Sequence, residues 1–189
     1  MSMMRQIVFA ARRRAELASV DLDDGPLGPC EVAGRTLTSV LSAGTELAMQ
    51  FDAEEGFPHK PGYGAVFEIE AVGDEVTDLM PGDRAFCIGR HASRQRWPRD
   101  EVVRVPERPA PEEAVLARMA AIGWSCLTRT RARPPEPVLV TGLGAVGHLA
   151  ARLFAMHGYQ VVGVDPRVER RRTCERFGVS TFESVPLDD

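Results

Sequence analysis

The segment Val138-Leu139-Val140-Thr141-Gly142-Leu143-Gly144-Ala145-Val146-Gly147 decides the fold of this chain. Its apolar start, residues 138–140, is typical of a buried parallel strand. Residues 142–147 form a Gly-x-Gly-x-x-Gly motif, and a helical pattern of apolar residues follows. A second apolar run, residues 161–164, ends at Asp165. This order of strand, glycine motif, helix, strand and terminal acid predicts a dinucleotide-binding βαβ unit.

Each part of this unit has an expected role in binding a dinucleotide. Gly142 permits the tight turn after the strand, Gly144 lets backbone N–H groups approach a pyrophosphate, and Gly147 lets the helix pack closely on the sheet. The first turn of the helix, which contains Ala145 and Val146, supplies positive potential for the phosphates. These residues are the candidate pyrophosphate site.

Asp165 is the candidate ribose-binding residue. It lies 18 residues after Gly147, at the end of the second strand, where a carboxylate can hydrogen-bond a ribose 2′-hydroxyl. The same charge would repel a 2′-phosphate, which favours NAD(H). Arg167 and the arginines at 170–172 weaken this preference because an arginine here can bind phosphate; alternatively, they form a solvated helix face paired with nearby glutamates. NAD is the expected cofactor, with NADP as the alternative.

The composition is that of an ordinary globular protein. The 189 residues are 44% hydrophobic and 26% charged, and the length allows one large domain or two small ones. A net charge of −4 without a long basic tract argues against a nucleic-acid partner, and no apolar run is long enough to predict a membrane span. Four cysteines without Cys-x-x-Cys spacing indicate reduced thiols in the cytoplasm rather than a disulfide framework or structural zinc site.

The first 110 residues and the next 20 have different periodicities. Short strands separated by glycine and proline turns predict a compact barrel or sandwich over residues 1–110. Residues 110–130 then follow a helical pattern that begins at Pro111. The pattern predicts one apolar helix face, made of Val115, Met119, Ile122 and Cys126.

The last third of the chain continues the nucleotide unit. The helix after the glycine motif is expected to turn Leu149, Leu153 and Met156 to one side and to end at Gly158. A further helix near 168–177 and a third strand near 179–182 are expected. A doubly wound nucleotide-binding sheet has about six strands, so the chain is interpreted as a fragment, a reduced fold, or a half-sheet completed from elsewhere. An uncovered sheet edge would favour association, either as a homodimer or with another chain.

Motifs before the nucleotide unit complete a recognisable pattern. They are Ser42-Ala43-Gly44-Thr45-Glu46, Pro61-Gly62-Tyr63-Gly64, Pro81-Gly82-Asp83-Arg84 and Ala121-Ile122-Gly123-Trp124. Together with the glycine motif, they resemble the medium-chain dehydrogenase/reductase superfamily over essentially the whole chain. The resemblance implies an α/β protein: a GroES-like β-barrel catalytic domain with a bridging helix at 1–133, and a partial Rossmann domain, a doubly wound parallel sheet, at 134–189.

The resemblance also indicates that this chain has no zinc site. Zinc-dependent members carry their metal ligands at positions that are occupied here by Ala43, Tyr63-Gly64 and Arg118, which offer neither thiolate nor imidazole. Their structural zinc lobe of four cysteines is absent as well. His59 and His91 could meet in one site, although isolated histidines are more often structural. The chain is therefore expected to belong to a zinc-free subgroup.

The resemblance supplies two candidate catalytic residues. Thr45 matches the proton-relay hydroxyl of the superfamily, which would hydrogen-bond a substrate alcohol or carbonyl. Tyr63, at a former ligand position, would donate a proton or stabilise an oxyanion. The structural alternatives are that Thr45 only caps the following helical turn, with Glu46 as an early acid, and that Tyr63 only packs.

The expected function is zinc-independent, NAD(P)-dependent hydride transfer between nicotinamide and a small alcohol or carbonyl substrate. One alternative is a degenerate or truncated homologue that binds nucleotide or serves as an assembly subunit without its own catalysis. Another is NADPH-dependent reduction of an enoyl compound or a quinone, which the acid at Asp165 disfavours.

Overall fold

The computed structural model describes residues 3–21 and 25–185, and these residues form two compact units that divide between Leu116 and Ala117. Packing therefore groups the helix Ala117–Arg129 with the second unit. The sequence-based division at 133/134 instead assigned this helix to the first domain, as a bridge. In the second unit the helix packs against Ala145–Met156, where an added Cβ on Gly123 would lie 2.8 Å from the Cα of Ala150.

The first unit is built from antiparallel strands. A hairpin, β1–β2, precedes a five-stranded sheet in the order β6-β3-β4-β5-β7. Its strands are β1 (Met3–Ala11), β2 (Arg14–Asp21), β3 (Glu31–Val40), β4 (Gly64–Val72), β5 (Arg84–Cys87), β6 (Arg94–Pro98) and β7 (Val103–Val105). Alternating residues of β3, β4 and β5, among them Val32, Phe67 and Ala85, are fully buried in its core.

Short helical segments connect the strands of this unit. Ala43–Phe51 follows β3 and has the wider hydrogen-bond pattern of a π-helix, as in the bond from Asp52 N–H to Leu47 O. A 3₁₀ turn covers Arg99–Glu101, and α1 covers Pro111–Ala114.

The second unit is a three-stranded parallel sheet with helices. Its elements are α2 (Ala117–Arg129), β8 (Pro137–Thr141), α3 (Ala145–Met156), β9 (Gln160–Val164), α4 (Val168–Glu175) and β10 (Ser180–Phe182). The strand order β10-β9-β8 is that of half a doubly wound sheet. The α/β prediction and the order of the two architectures are thereby confirmed.

Three local features differ from what the sequence predicts. Strand β6 was not predicted because Arg94 and Arg96 give it no apolar run, and both instead form ion pairs with acids of β4 and β3. The helix expected over 110–130 is interrupted at Val115 and Leu116. Val115 and Met119 are buried as predicted, but Gly123 is buried and Cys126 is exposed in α2, because the closest contact with α3 is made at the smallest residue.

The buried face of α3 also differs from the prediction. Met156 is 76% exposed, while Ala151 and Phe154 are the buried residues of this helix. Met156 lies in the last turn, and the aromatic ring of Phe154 packs on Tyr159 at a centroid distance of 5.1 Å. Gly158, at a φ of +83°, lies just past the helix end at His157, as the sequence predicted.

Within residues 3–21 and 25–185, no helix is both long enough and apolar enough to cross a membrane.

Candidate functional site

The glycine loop between β8 and α3 has the shape that a phosphate cradle requires. Gly142 has a φ of +83°, a conformation that disfavours side chains. A Cβ on Gly147 would lie 1.8 Å from the carbonyl oxygen of Gly142, so only glycine fits there. A Cβ on Gly144 would instead meet nothing closer than the Arg170 guanidinium, at 3.8 Å. Space is therefore open above Gly144, beside the first-turn N–H groups that start at Ala145.

Asp165, at the end of β9, hydrogen-bonds to this loop and fixes its position. Its carboxylate is 1% exposed and accepts hydrogen bonds from the backbone N–H groups of Leu143 and Arg167, each at 2.8 Å. The Arg170 guanidinium donates a third bond, at 3.3 Å. The Arg167 N–H, followed by the Leu143 N–H and Arg170, lowers the pKa of Asp165 against the opposing effect of burial. A ribose hydroxyl would have to share these oxygens, which together offer about four lone pairs.

Two of the neighbouring arginines, Arg170 and Arg171, hydrogen-bond to Asp165 itself, and Arg171 also lies 3.9 Å from the carboxylate of Glu183. Arg171 donates to the backbone oxygens of Asp165, at 2.7 Å, and Pro166, at 3.0 Å. Arg170 bonds to the Asp165 carboxylate itself, whereas Arg167 contributes its N–H and is an exposed residue. Because Arg170 offsets part of the charge of Asp165, the repulsion expected for a 2′-phosphate is weaker than the sequence alone suggested.

In the first unit, Ser42 organises the start of the helix Ala43–Phe51. Its hydroxyl accepts a hydrogen bond from the N–H of Thr45 at 3.3 Å, and its own N–H donates to Glu46 Oε2 at 2.5 Å. Ser42 is therefore the capping residue, and Thr45 lies half-buried within the first turn.

Glu46 belongs to a line of three hydrogen-bonded side chains, Ser39, His91 and Glu46, which was not predicted from the sequence. Only 1% of Glu46 is exposed, and its Oε1 lies 2.8 Å from Nε2 of His91 in the loop after β5. The other ring nitrogen of His91, Nδ1, lies 2.8 Å from the hydroxyl of Ser39 on β3. The sequence indicated Glu46 only as an acid in the first helical turn, and nothing pointed from it to a histidine 45 residues later.

The histidines do not assemble a metal site. His59 bonds to the carbonyl oxygen of Glu55 at 3.2 Å, whereas His91 bonds to Glu46 and Ser39. No cluster of three or more potential ligands among histidine, cysteine, aspartate and glutamate occurs in the described residues. The side chains of Ala43 and Arg118 do not suit zinc either, so the chain does not fit the superfamily's zinc site.

Tyr63 lies at the entrance to β4, close to the His91 loop. Gly62 packs so tightly on this loop that a Cβ would lie 2.2 Å from the Cα of Arg90, and the N–H of His91 donates to the oxygen of Pro61 at 3.0 Å. Tyr63 is half-buried. His91 therefore hydrogen-bonds to both segments that carry a candidate residue. It contacts the helix of Thr45 through Glu46 and the turn before Tyr63 through Pro61.

In the second unit, His148, which follows Gly147 directly, is a packed residue. Its Nδ1 lies 2.9 Å from the buried Cys174 sulfur, and its ring packs on Phe177. Burial, assisted by the charge of Arg152, lowers the pKa of His148.

Comparison with known proteins supports the family resemblance that the motifs indicate. An alcohol dehydrogenase of Geobacillus stearothermophilus is 28% identical over 164 residues, and a quinone oxidoreductase of Mus musculus is 31% identical over 140 residues. These matches cover 70% and 68% of this chain. The chain belongs to the medium-chain dehydrogenase/reductase superfamily. No protein-family model matches the sequence.

The superfamily fold is shared across nearly the whole chain. The structure of galactitol-1-phosphate dehydrogenase from Escherichia coli aligns with a TM-score of 0.85 over 97% of this chain and 62% of its own, at 19% identity. That identity supports the fold alone. The chain spans about half the length of the curated relatives it matches, 49% of the alcohol dehydrogenase and 41% of the quinone oxidoreductase.

Proposed function

We propose that this chain is a zinc-independent, NAD(P)-dependent oxidoreductase that transfers a hydride between nicotinamide and a small alcohol or carbonyl compound. The observation that carries the proposal is the glycine loop, with its open space above Gly144, its closed contact at Gly147, and Asp165 holding the loop from β9. When bound, the nicotinamide cofactor supplies the redox chemistry, and the protein supplies binding and orientation.

The substrate oxygen would be polarised by hydroxyl groups of the first unit. Thr45, fixed through its N–H by Ser42, is the principal candidate, and Tyr63 is the second. Neutral hydroxyls can donate hydrogen bonds to an oxygen as negative charge develops on it. Zinc independence is supported by Ala43, Tyr63 and Arg118 at the three ligand positions of the superfamily.

The cofactor is proposed to be NAD, with NADP as the alternative. Asp165 favours NAD because its carboxylate suits ribose hydroxyls. Arg170, bonded to that carboxylate and 44% exposed, is the residue that would accommodate a 2′-phosphate. A second alternative is NADPH-dependent reduction of a quinone or enoyl compound, and the relative named quinone oxidoreductase supports quinones as its substrate class.

The proposal is tested by following nucleotide oxidation spectrophotometrically with aldehydes, ketones and quinones, while zinc in the purified protein is measured by mass spectrometry. We expect turnover of at least one carbonyl substrate that persists after dialysis against a strong chelator. Activity that requires one equivalent of zinc would contradict metal independence. A folded protein that turns over no substrate with either nucleotide would contradict the enzyme proposal.

A second candidate function is a nucleotide-binding subunit completed by another chain or by a second copy. Strand β8 pairs only with β9 within the described residues and is therefore an uncovered sheet edge, on which Leu139 is 52% exposed. Light scattering tests this candidate. Association that Leu139→Ser abolishes would support it, whereas a monomer at micromolar concentration would oppose the homodimer. Phe182→Ser, on the opposite edge strand β10, is the matched control.

A further inference from the structure

The hydrogen-bond directions along Ser39, His91 and Glu46 follow from the chemistry of the three groups. An ionised carboxylate only accepts, and Glu46 accepts from the Ser42 N–H at Oε2 and from His91 at Oε1. Nε2 of His91 therefore carries the hydrogen. In a neutral ring, Nδ1 is then the acceptor, so the Ser39 hydroxyl donates to it.

We infer that this line is the proton relay of the proposed reaction, with Ser39 as the group that exchanges a proton with the substrate oxygen. The inference rests on the proposed function and adds the residues that move its proton. His91 holds the proton in transit. Glu46 acts through His91 and is a positioning residue, because it orients the imidazole and stabilises its charged form.

Every proton of the reaction is accounted for in this relay. In the direction of oxidation, the alcohol oxygen would lose its proton to Ser39 Oγ, and the nicotinamide cofactor, when bound, would supply the hydride acceptor. The Ser39 hydroxyl proton moves at the same time to His91 Nδ1, which leaves a carbonyl product, an intact serine and an imidazolium beside Glu46. The ring, 11% exposed, then returns its proton to water. Carbonyl reduction runs through the same steps in reverse.

A site without zinc needs such a group. Thr45 and Tyr63 can donate hydrogen bonds to an oxygen, but a hydroxyl group by itself offers no base to take up the proton of an alcohol. Histidine is the side chain whose ordinary pKa lies between about 5 and 8, so it suits reversible proton transfer there.

The position of the relay matches the position of the candidate hydroxyls. Glu46 follows Thr45 directly in the first helical turn. Ser39 pairs with Ala65 in the β3–β4 register, two residues beyond Tyr63. The backbone N–H of His91 also donates to the oxygen of Pro61, two residues before Tyr63. His91 is thus hydrogen-bonded through its imidazole to β3 and to the helix that carries Thr45, and through its backbone N–H to the turn that precedes Tyr63.

Several elements are hydrogen-bonded to the loop that carries His91: β1, β3, β6, the segment before β4 and, through Glu46, the helix Ala43–Phe51. The charged or titratable residues next to those contacts in the sequence are Arg5, Arg35, Lys60, Tyr63, Arg90 and Arg94.

The kinetic test uses His91→Gln in the whole chain. The glutamine amide can still donate to Glu46 and accept from Ser39, but it cannot carry the proton. We expect kcat to fall about 100-fold, KM for the nucleotide to stay unchanged, and the dependence of kcat/KM on pH between about 5 and 8 to disappear. His59→Gln, in the same unit, is the control and should change none of these. A folded His91→Gln protein with wild-type kcat and pH profile would overturn the relay.

A spectroscopic test does not depend on turnover. With ¹⁵N-labelled histidine, the relay predicts that NMR shows His91 in the tautomer protonated at Nε2, and that Ser39→Ala shifts its Nδ1 resonance while leaving His59 unchanged. An averaged tautomer spectrum, or an Nδ1 resonance that ignores Ser39→Ala, would overturn the relay. Absence of turnover in the wild-type chain contradicts the proposed function, so the two failures are distinguishable.

Discussion

Asp165 and Glu46 are both 1% exposed, yet the two units use these carboxylates in different ways. Asp165 is held by two backbone N–H groups and Arg170, none of which gives up a proton near neutral pH. Glu46 is held by one backbone N–H and by the imidazole of His91, which can gain or lose a proton.

The difference shows that burial of an acid does not define its role, because the partners of the acid do. Partners that keep their protons turn Asp165 into a fixed charge that shapes a backbone loop. A partner that exchanges protons makes Glu46 part of a chemical pathway. The following experiments separate the two roles, beginning with the largest expected effect.

Loss of the imidazole should have the largest effect on stability. His91→Ala removes the donor to Glu46 Oε1 and leaves the buried carboxylate with only the Ser42 N–H, so we expect the free energy of unfolding to fall by about 3 kcal/mol. Urea denaturation measures the change. His91→Gln should lose less, because its amide still donates to Glu46. Equal stability of His91→Ala and His59→Ala would show that the Glu46–His91 contact is not what stabilises this region.

Two glycine substitutions separate folding from binding beside Asp165. Gly147→Ala places a methyl group against the Gly142 carbonyl oxygen, and overpacking of this kind costs about 1–3 kcal/mol. Gly144→Ala meets open space, so its stability should stay within about 0.5 kcal/mol of wild type. Nucleotide affinity should nevertheless fall in Gly144→Ala, as measured by calorimetry, because the methyl group occupies the approach of the pyrophosphate. Unchanged nucleotide affinity in Gly144→Ala would show that Gly144 is not part of the binding site.

The pH dependence of stability should differ between wild type and Asp165→Asn. The pKa of Asp165 is lowered in the folded chain, first by the Arg167 N–H. Its stabilisation is therefore fully present above the unfolded pKa of about 3.9 and is lost as the pH falls from there through the lower folded value. The melting temperature of the wild type should fall in this acid range, and the melting temperature of Asp165→Asn should fall less steeply with pH. Parallel curves would contradict the fixed-charge role.

Arg170→Ala should have the smallest effect. An exposed ion pair contributes about 0.2–1 kcal/mol, so we expect NADPH affinity to fall no more than about fivefold and NADH affinity to stay constant. The ratio of the two dissociation constants is the measurement. A larger loss for NADH than for NADPH would assign Arg170 to another part of the nucleotide.

The second unit could be predicted from sequence because its signals are local. The glycine motif, the apolar strands and Asp165 lie within about 30 residues, and the βαβ unit fixes their arrangement. The relay could not be predicted, because Ser39, Glu46 and His91 come from three segments that only the sheet register and the loop at Gly62 bring together. On α2, Met119 was predicted correctly, but the burial of Gly123 and the exposure of Cys126 were not, because close packing at Gly123 rather than apolar periodicity decided them.

The most direct test of the account is calorimetric titration of the wild type, Asp165→Ala and His91→Gln with NADH and NADPH. The account predicts micromolar binding of NADH to the wild type, at least about tenfold weaker binding to Asp165→Ala, and unchanged binding to His91→Gln. No binding of either nucleotide to the folded wild-type protein would contradict the account.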